Sequence, residues 1–363
     1  MFDVETFLNT SPYSLDHQAK ESLLGGALWD LTRWHYENCE SYRRIMDRLG
    51  CNLDPAVRLI EDVPFLPVPL FKTQEMCSVP KYQVFKTLTS SGTTGQTVSR
   101  IFLDKETSVL QQKALVKIVS SFTGAARMPM LIIDSPSVIK NRLMFSARGA
   151  GILGFSIFGA DRTYALDDEM RIDFPAIEAF LERHRGQSIL LFGFTFMIWQ
   201  YFYKALVNAA VDGKRIDLSH GILIHGGGWK KLVNESVSPA EFRQRLMAVC
   251  GLSDVHDYYG MVEQTGTVYM QCEEGHLHAP IFSDVLIRRG KDFALCGKNE
   301  RGIMQVVSML PKSYPGHSLL TQDEGMILGE DDCPCGRKGK YFTIFGRLKN
   351  AEIRGCSDTF EKK

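Results

Sequence analysis

In Thr89-Ser90-Ser91-Gly92-Thr93-Thr94-Gly95-Gln96 every residue is a glycine or carries a hydroxyl or amide side chain. Apolar Val84-Phe85 and Leu88 precede the run, and Ile101-Phe102-Leu103 follow it. The pattern predicts a strand, a polar glycine loop and a second strand. Such a loop suits a polyanion, because glycine lets the backbone approach phosphate closely while amides and hydroxyls donate to its oxygens. It is not a P-loop, since Gly92 and Gly95 stand too close together and no lysine adjoins Gly95. Nor is it a dinucleotide fingerprint, which needs Gly-x-Gly-x-x-Gly opening a helix. On residue types alone, an ordinary polar turn between strands fits equally well.

Outward from this loop, helical and strand patterns alternate. Residues 15–50 predict a helical stretch, with Leu23-Leu24, Leu28, Leu31, Trp34-His35, Cys39 and Tyr42 at three- and four-residue steps and Gly50 as a C-cap. Prolines 64, 67 and 69 predict extended backbone that excludes a helix. After the loop come a helix around residues 109–119, a buried strand at 130–133, a small-residue helix at 147–155 and a helix around 177–181. A strand at 188–192, a helix at 195–210, a strand at 222–224, a helix around 242–249 and a strand at 254–259 follow. This alternation implies an α/β protein with largely parallel sheets. From Val268 the runs shorten (284–287, 303–307, 326–328, 341–345), which suggests an antiparallel, barrel-like subdomain.

The bulk numbers narrow the class. With 363 residues, 44% hydrophobic and 23% charged, the composition is that of a soluble globular protein. Lys+Arg and Asp+Glu balance at 42 each, so no global field draws nucleic acid or an anionic membrane. No basic N-terminal segment leads into an apolar run, so no secretory leader is expected. The most apolar stretch, 189–207, is broken by Gly193, Gln200 and Lys204 and falls short of the roughly 20 residues of a membrane span. Nine cysteines, an odd count, predict reduced thiols in a cytoplasmic protein.

Ser90-Ser91-Gly92-Thr93-Thr94-Gly95 resembles the phosphate-binding signature of the adenylate-forming superfamily of acyl ligases. Ser99-Arg100-Ile101 and Ile353-Arg354-Gly355-Cys356-Ser357-Asp358 narrow the resemblance to the acyl-protein synthetases of bacterial bioluminescence operons, and more distantly to phenylacetate-CoA ligases. The resemblance spans about residues 15–358. It implies a large acyl-CoA-synthetase-like domain of stacked α/β layers over 1–345: a helical opening segment (1–80), a nucleotide-binding core (81–265) and a β-rich part (266–345). Residues 346–363 would be the hinge and a truncated tail, with the small C-terminal domain largely absent.

The resemblance also implies site roles. Ser90, Ser91, Gly92, Thr93, Thr94, Gly95 and Gln96 would hold the triphosphate of ATP, with Thr93 among the catalytic candidates. Gly226-Gly227-Gly228 is similar to the loop that lies against adenine. Tyr259-Gly260-Met261-Val262-Glu263 matches a Tyr-Gly-x-x-Glu pattern in which the tyrosine stacks on the purine and the glutamate helps hold Mg²⁺. Asp323 matches the aspartate that accepts both ribose hydroxyls, as a two-oxygen acceptor can. Gly346-Arg347-Leu348-Lys349 resembles the hinge, with Arg347 reaching ribose or phosphate. Taken singly, a glycine triplet, a Tyr-Gly pair or a turn aspartate is weak; their order and spacing carry the weight.

Cys356 is the expected acyl acceptor. Nine residues of extended tail after Arg347 reach about 30 Å, and Arg354 two residues before it favours thiolate. The competing reading is a plain free cysteine. Cys333-Pro334-Cys335-Gly336, with Cys272 and His278, offers four zinc ligands, though a one-residue gap is tight and His276 competes with His278. The alternative is a pair of reduced turn cysteines. Phe192-Gly193-Phe194-Thr195-Phe196 falls where the family lines its acid pocket, or is simply core.

Two departures from the superfamily stand out. Thr97-Val98 replaces the usual Pro-Lys, with Arg100 as a substitute charge, and the lysine of the small domain is missing. Losing a positioned cation costs about 3 kcal/mol of transition-state stabilisation. The expected function is ATP- and Mg²⁺-dependent activation of a fatty or other carboxylic acid as acyl-AMP, then transfer to a protein cysteine, commonly on an acyl reductase. The rivals are an acyl-CoA ligase, a carrier-protein-loading enzyme and a catalytically silent nucleotide-binding protein.

Overall fold

Aliphatic and β-branched runs bounded by polar or glycine turns become the strands of a computed structural model, which describes residues 4–53, 56, 58–90, 98–140 and 147–348. The chain divides into two compact units. One takes in the described residues up to Phe122, Gly260–Met270 and those from His276 on; the other takes in Thr123–Tyr259 and Gln271–Gly275.

After a short helix at Val4–Asn9, the first unit has two helices where the periodicity predicts one helical stretch. His17–Asn38 starts under the Asp16 carboxylate, which accepts from Ala19 N at 3.0 Å. Cys39 is extended (φ −127°, ψ 106°) and interrupts the run before Glu40–Leu49, which Gly50 ends at φ 60° as expected of a C-cap. The proline-rich approach corrects the expectation. Strand β1 (Leu66–Pro67) is extended, but Leu70–Thr73 is a short helix with Pro69 before its first residue. Proline lacks only an N–H that a first helical turn leaves unused, so it starts a helix as readily as it stops one. Strands β2 (Lys86–Thr89) and β3 (Arg100–Leu103) pair antiparallel, so the strand–loop–strand reading stands.

Two buried histidines tie the His17–Asn38 helix to distant segments of this unit. His35 Nδ1 lies 2.7 Å from Ser78 Oγ, and its Nε2 lies 3.0 Å from Pro311 O. His317 stacks on it at 4.8 Å and reaches Thr32 Oγ1 at 2.9 Å. Burial holds His35 well below the usual histidine range, with His317 adding to it, and burial pushes His317 down to about 3. An unfolded chain takes up these protons near pH 6.5 and the folded one does not. Stability is therefore full above that pH and lost as pH falls from about 6.5 towards 3, at up to about 1.4 kcal/mol per pH unit per histidine. The unfolding midpoint should be lower at pH 5.5 than at 7.5, and His317→Gln should narrow that gap; an equal or higher midpoint at pH 5.5 would contradict this account.

The second unit holds the parallel sheet: β4 (Met128–Ile133), β5 (Gly159–Tyr164), β6 (Ile189–Phe194), β7 (Gly221–Gly226) and β8 (Asp254–Tyr259). The order is β5-β4-β6-β7-β8, all parallel. The interior strand β6 is buried along its whole length, as a sheet covered on both faces requires. Leu131, Ile133, Leu191, Leu223, Phe180 and Phe242 belong to one apolar core. The helix read over 195–210 is not uniform. Thr195–Met197 and Lys204–Val211 are α-helical, whereas Ile198–Tyr203 is a π-helix. Its Trp199 stacks on Tyr203 at 4.6 Å and on Phe242 at 5.9 Å.

Beyond Tyr259 the chain returns to the first unit and becomes antiparallel, as expected. The strands are β9 (Tyr269–Gln271), β10 (Leu277–His278), β11 (Ser283–Arg288), β12 (Gly302–Ser308), β13 (Ser318–Glu330) and β14 (Lys340–Arg347). Pairings run β11-β12-β13-β14-β10, with β1 added in parallel to β13. Asp284 of β11 binds Lys340 at 2.7 Å and Lys20 of the His17–Asn38 helix at 3.2 Å. Burial alone would raise its carboxyl, and the two ammonium groups outweigh that and hold it low.

Candidate active site

Parallel strands end at one edge, and in α/β sheets ligands bind outside the carboxyl ends. In the second unit β4, β6, β7 and β8 deliver Asp134, Thr195, His225 to Gly228, and Tyr258-Tyr259 to that edge. Two glycines of the triplet are constrained by their surroundings. A Cβ on Gly226 would lie 2.5 Å from the Tyr258 ring, and Gly227 sits at φ 78° with Phe194 3.1 Å from its missing Cβ. Gly228 has open space around it. Phe155, Phe192 and Tyr258 form a stack, with Phe155 centred 4.5 Å from Phe192 and 4.9 Å from Tyr258. Phe192 and Phe194 are therefore core walls beneath the edge, while Phe196 is half-buried beside it.

Sequence reasoning passed over a polar knot under the triplet. Thr195 Oγ1 donates to Gly226 O at 3.3 Å, so His225 Nδ1, 3.0 Å away, donates to Thr195 Oγ1. Asp257 Oδ1 is 3.6 Å from the same nitrogen. Burial pushes His225 down to about 3 and Asp257 up to about 7, although 35% of the Asp257 side chain reaches solvent; its Oδ1 is the sealed atom. Nearby, Asp134 Oδ2 faces Arg148 at 3.0 Å and its Oδ1 accepts from Ser135 N at 2.7 Å. Burial raises Asp134 to about 6 against the pull of Arg148.

The first unit carries the remaining candidates. Ser90 closes the neck of the hydroxyl-rich loop: its Oγ accepts from Ser99 N at 2.9 Å and its N donates to Ser99 O at 3.2 Å. Ser91, Gly92, Thr93, Thr94, Gly95 and Gln96 lie outside the described residues, as do Lys349 and Cys356. Gly260 is exposed, and Glu263 is buried on the turn Val262–Gln264. Gln264 Nε2 fixes that turn by donating to Val306 O at 3.0 Å and Gly316 O at 2.9 Å. Gly316 must be glycine there, since a Cβ would meet Glu263 O at 2.7 Å. Asp323 lies in β13, not in a turn, and is in register with Arg347 of β14; Arg347 Nε is 3.9 Å from its Oδ1.

The cysteine–histidine reading brings four side chains together. Cys272, His278, Cys333 and Cys335 each place one ligand atom within 4.8 Å of the others. Cys335 Sγ lies 3.4 Å from His278 Nε2. His276 is displaced to the rim, 3.3 Å from Cys333 and stacked on Tyr341. Three sulfurs and one imidazole in this space suit a four-coordinate metal, whose ligand atoms in a thiolate site stand about 3.7 Å apart.

A five-stranded parallel sheet with a glycine triplet at its carboxyl edge, an antiparallel β-rich part and a ribbon bearing the hydroxyl-rich loop define the fold of an adenylate-forming acyl ligase. Among solved structures it resembles 2-hydroxyisobutyryl-CoA ligase. The open conformation in complex with 2-HIB-AMP and CoA superposes with a TM-score of 0.67 at 15% identity over 94% of this chain and 78% of that one. The postadenylation state with 2-HIB-AMP gives 0.69 at 14% over 93% and 69%. The particular family follows from the sequence. Residues 3–363 match the family described as acyl-protein synthetase, LuxE, and the chain belongs to it. It is 24% identical over 360 residues to the long-chain-fatty-acid–luciferin-component ligase of Vibrio harveyi, covering 97% of this chain and 90% of that protein. To the protein of the same name from Aliivibrio fischeri it is 22% identical, covering 96% and 90%. The chain is thus a ligase by family, and no helix among the described residues is long and apolar enough to cross a membrane.

Proposed function

We propose that this ligase uses ATP to activate a long-chain fatty acid as acyl-AMP and passes the acyl group to a protein thiol, first its own Cys356 and then an acyl-accepting protein such as an acyl reductase. The observation that carries the reading is the family match along residues 3–363, together with the glycine triplet and Tyr259 at the carboxyl edge of the parallel sheet. In the first step a carboxylate oxygen bonds to the α-phosphorus and the bond to pyrophosphate breaks, its electron pair leaving with pyrophosphate. In the second, thiolate attacks the acyl carbonyl and AMP departs with the electron pair of the broken C–O bond.

Each residue has a part in this reading. Ser90 to Gln96 bind phosphate oxygens. Gly226 to Gly228 lie against adenine, and Tyr259 stacks on it. Asp323 accepts the ribose hydroxyls once Arg347 turns to phosphate or ribose. Glu263, a hard oxygen donor on a fixed turn, would hold Mg²⁺, which supplies charge neutralisation beside the triphosphate. The test is acid-dependent exchange of pyrophosphate with ATP across a series of carboxylic acids. Exchange strongest with long-chain acids supports the reading; no exchange with any acid leaves a silent nucleotide binder.

The Cys272, His278, Cys333 and Cys335 cluster is read as a structural zinc site. The purified protein should contain about one zinc per chain. Cys333→Ser or Cys335→Ser should remove it and lower the unfolding midpoint. Metal analysis by mass spectrometry and thermal melting check both, and full stability in metal-free protein would refute the site.

A further inference from the structure

Lys230, two residues beyond the glycine triplet, is half-buried and holds a left-handed backbone at φ 51°. A non-glycine side chain avoids that region and keeps it where its position matters. Its ammonium lies 3.9 Å from the centre of the Phe196 ring, at the end of β6. Its charge also reaches Asp134, at the end of β4, and helps draw that carboxyl down. The cation thus lies on the ring at the end of β6, four residues beyond β7 and within electrostatic reach of the end of β4, on the edge where ligands bind. Asp134 is already engaged, by Arg148 at 3.0 Å and by Ser135 N at 2.7 Å. Phe196 is itself half-buried, with the core residues Phe194 and Met197 on either side of it in the chain. A half-buried ammonium on a half-buried aromatic face matches an anion that carries an apolar chain: the carboxylate of a fatty acid.

We infer that Lys230 is a catalytic residue that grips the acid's carboxylate at the carboxyl edge of the sheet and stays with that oxygen as it bonds to the α-phosphorus. This assignment rests on the acyl-AMP-forming reading above. The lysine exchanges no proton. It holds the attacking oxygen in line and offsets the negative charge that builds on the phosphoryl group as pyrophosphate leaves.

Two variants test it: Lys230→Gln removes the charge, and Lys230→Gly removes it while relieving the left-handed backbone, so that the fold is kept. For both, kcat/KM for the acid in pyrophosphate exchange should fall about 100-fold. The KM for ATP should stay within about threefold, because the lysine addresses the acid; Lys230→Gly should melt at or above the wild-type midpoint. A fall of less than about threefold in both variants would overturn the assignment. So would an equal loss towards acid and ATP, or a lysine whose glycine replacement costs stability and leaves exchange intact. Wild-type protein that exchanges with no acid would remove the ligase reading and this assignment with it, a failure visible before any variant is made.

Discussion

Cys356→Ser is expected to abolish protein labelling by a radiolabelled fatty acid and ATP, more than 100-fold by neutral-hydroxylamine-labile counts, while acid-dependent pyrophosphate exchange stays within about twofold of wild type. The separation follows from the two steps drawing on different atoms: acyl-AMP forms without the thiol, and thioester does not. Serine keeps the size of the side chain, but its hydroxyl carries almost no anion at neutral pH, whereas a cysteine thiol ionises far more readily. The measurement is a gel of labelled protein treated with and without hydroxylamine, run beside the exchange assay. Undiminished labelling would place the acyl group on another residue. Loss of exchange as well would move Cys356 into the activation step.

The second large effect is at Glu263. Glu263→Gln should lower exchange on the order of 100-fold and raise the Mg²⁺ concentration needed for half-maximal rate about tenfold or more. Glutamine keeps the shape of the buried side chain, and Gln264 and Gly316 hold the turn. The change is expected to alter the charge of the proposed Mg²⁺ ligand and not the folding, so the melting midpoint should stay near wild type. Titrating Mg²⁺ at fixed ATP reads both quantities. An unchanged Mg²⁺ requirement would mean that Glu263 is a buried structural acid and that the metal's carboxylate lies elsewhere.

Much of this architecture could be read from the chain because burial leaves marks on local sequence. Asp254 to Tyr259 is found as read, the strand read over 130–133 starts two residues earlier at Met128, and the helix at Ala147–Phe155 has the bounds its small residues suggest. Strand β5 escaped because it is exposed over Ala160-Asp161-Arg162 and has no apolar run to reveal it. Strands β9 and β10 are too short to carry a period. Asp323 resembled a turn residue because Gln322-Asp323-Glu324 is polar, yet β13 runs through it from Ser318 to Glu330.

Site geometry was less legible. The pairing of Asp323 with Arg347 depends on the register of two strands, and the Thr195–His225–Asp257 knot on three strand ends arriving side by side. No spacing along the chain encodes either. The four metal-ligand candidates were visible as types, but only the fold chose His278 over His276. Lys230 carried no sequence signal beyond following three glycines and a tryptophan; its backbone angle and the ring beneath it make it notable.

The wide turn at Ile198–Tyr203 has a bearing on how this segment tolerates change in length. A π-turn winds one residue more than an α-turn needs, so the rod between Thr195 and Val211 carries a spare. Deleting a single position there lets the rod rewind to ordinary pitch, with Thr195 still anchored on Gly226 at one end. Deleting a single position from a uniform α-helix would instead swing all that follows by about 100°. Natural or engineered shortening of this segment should thus arise at these six positions before any others.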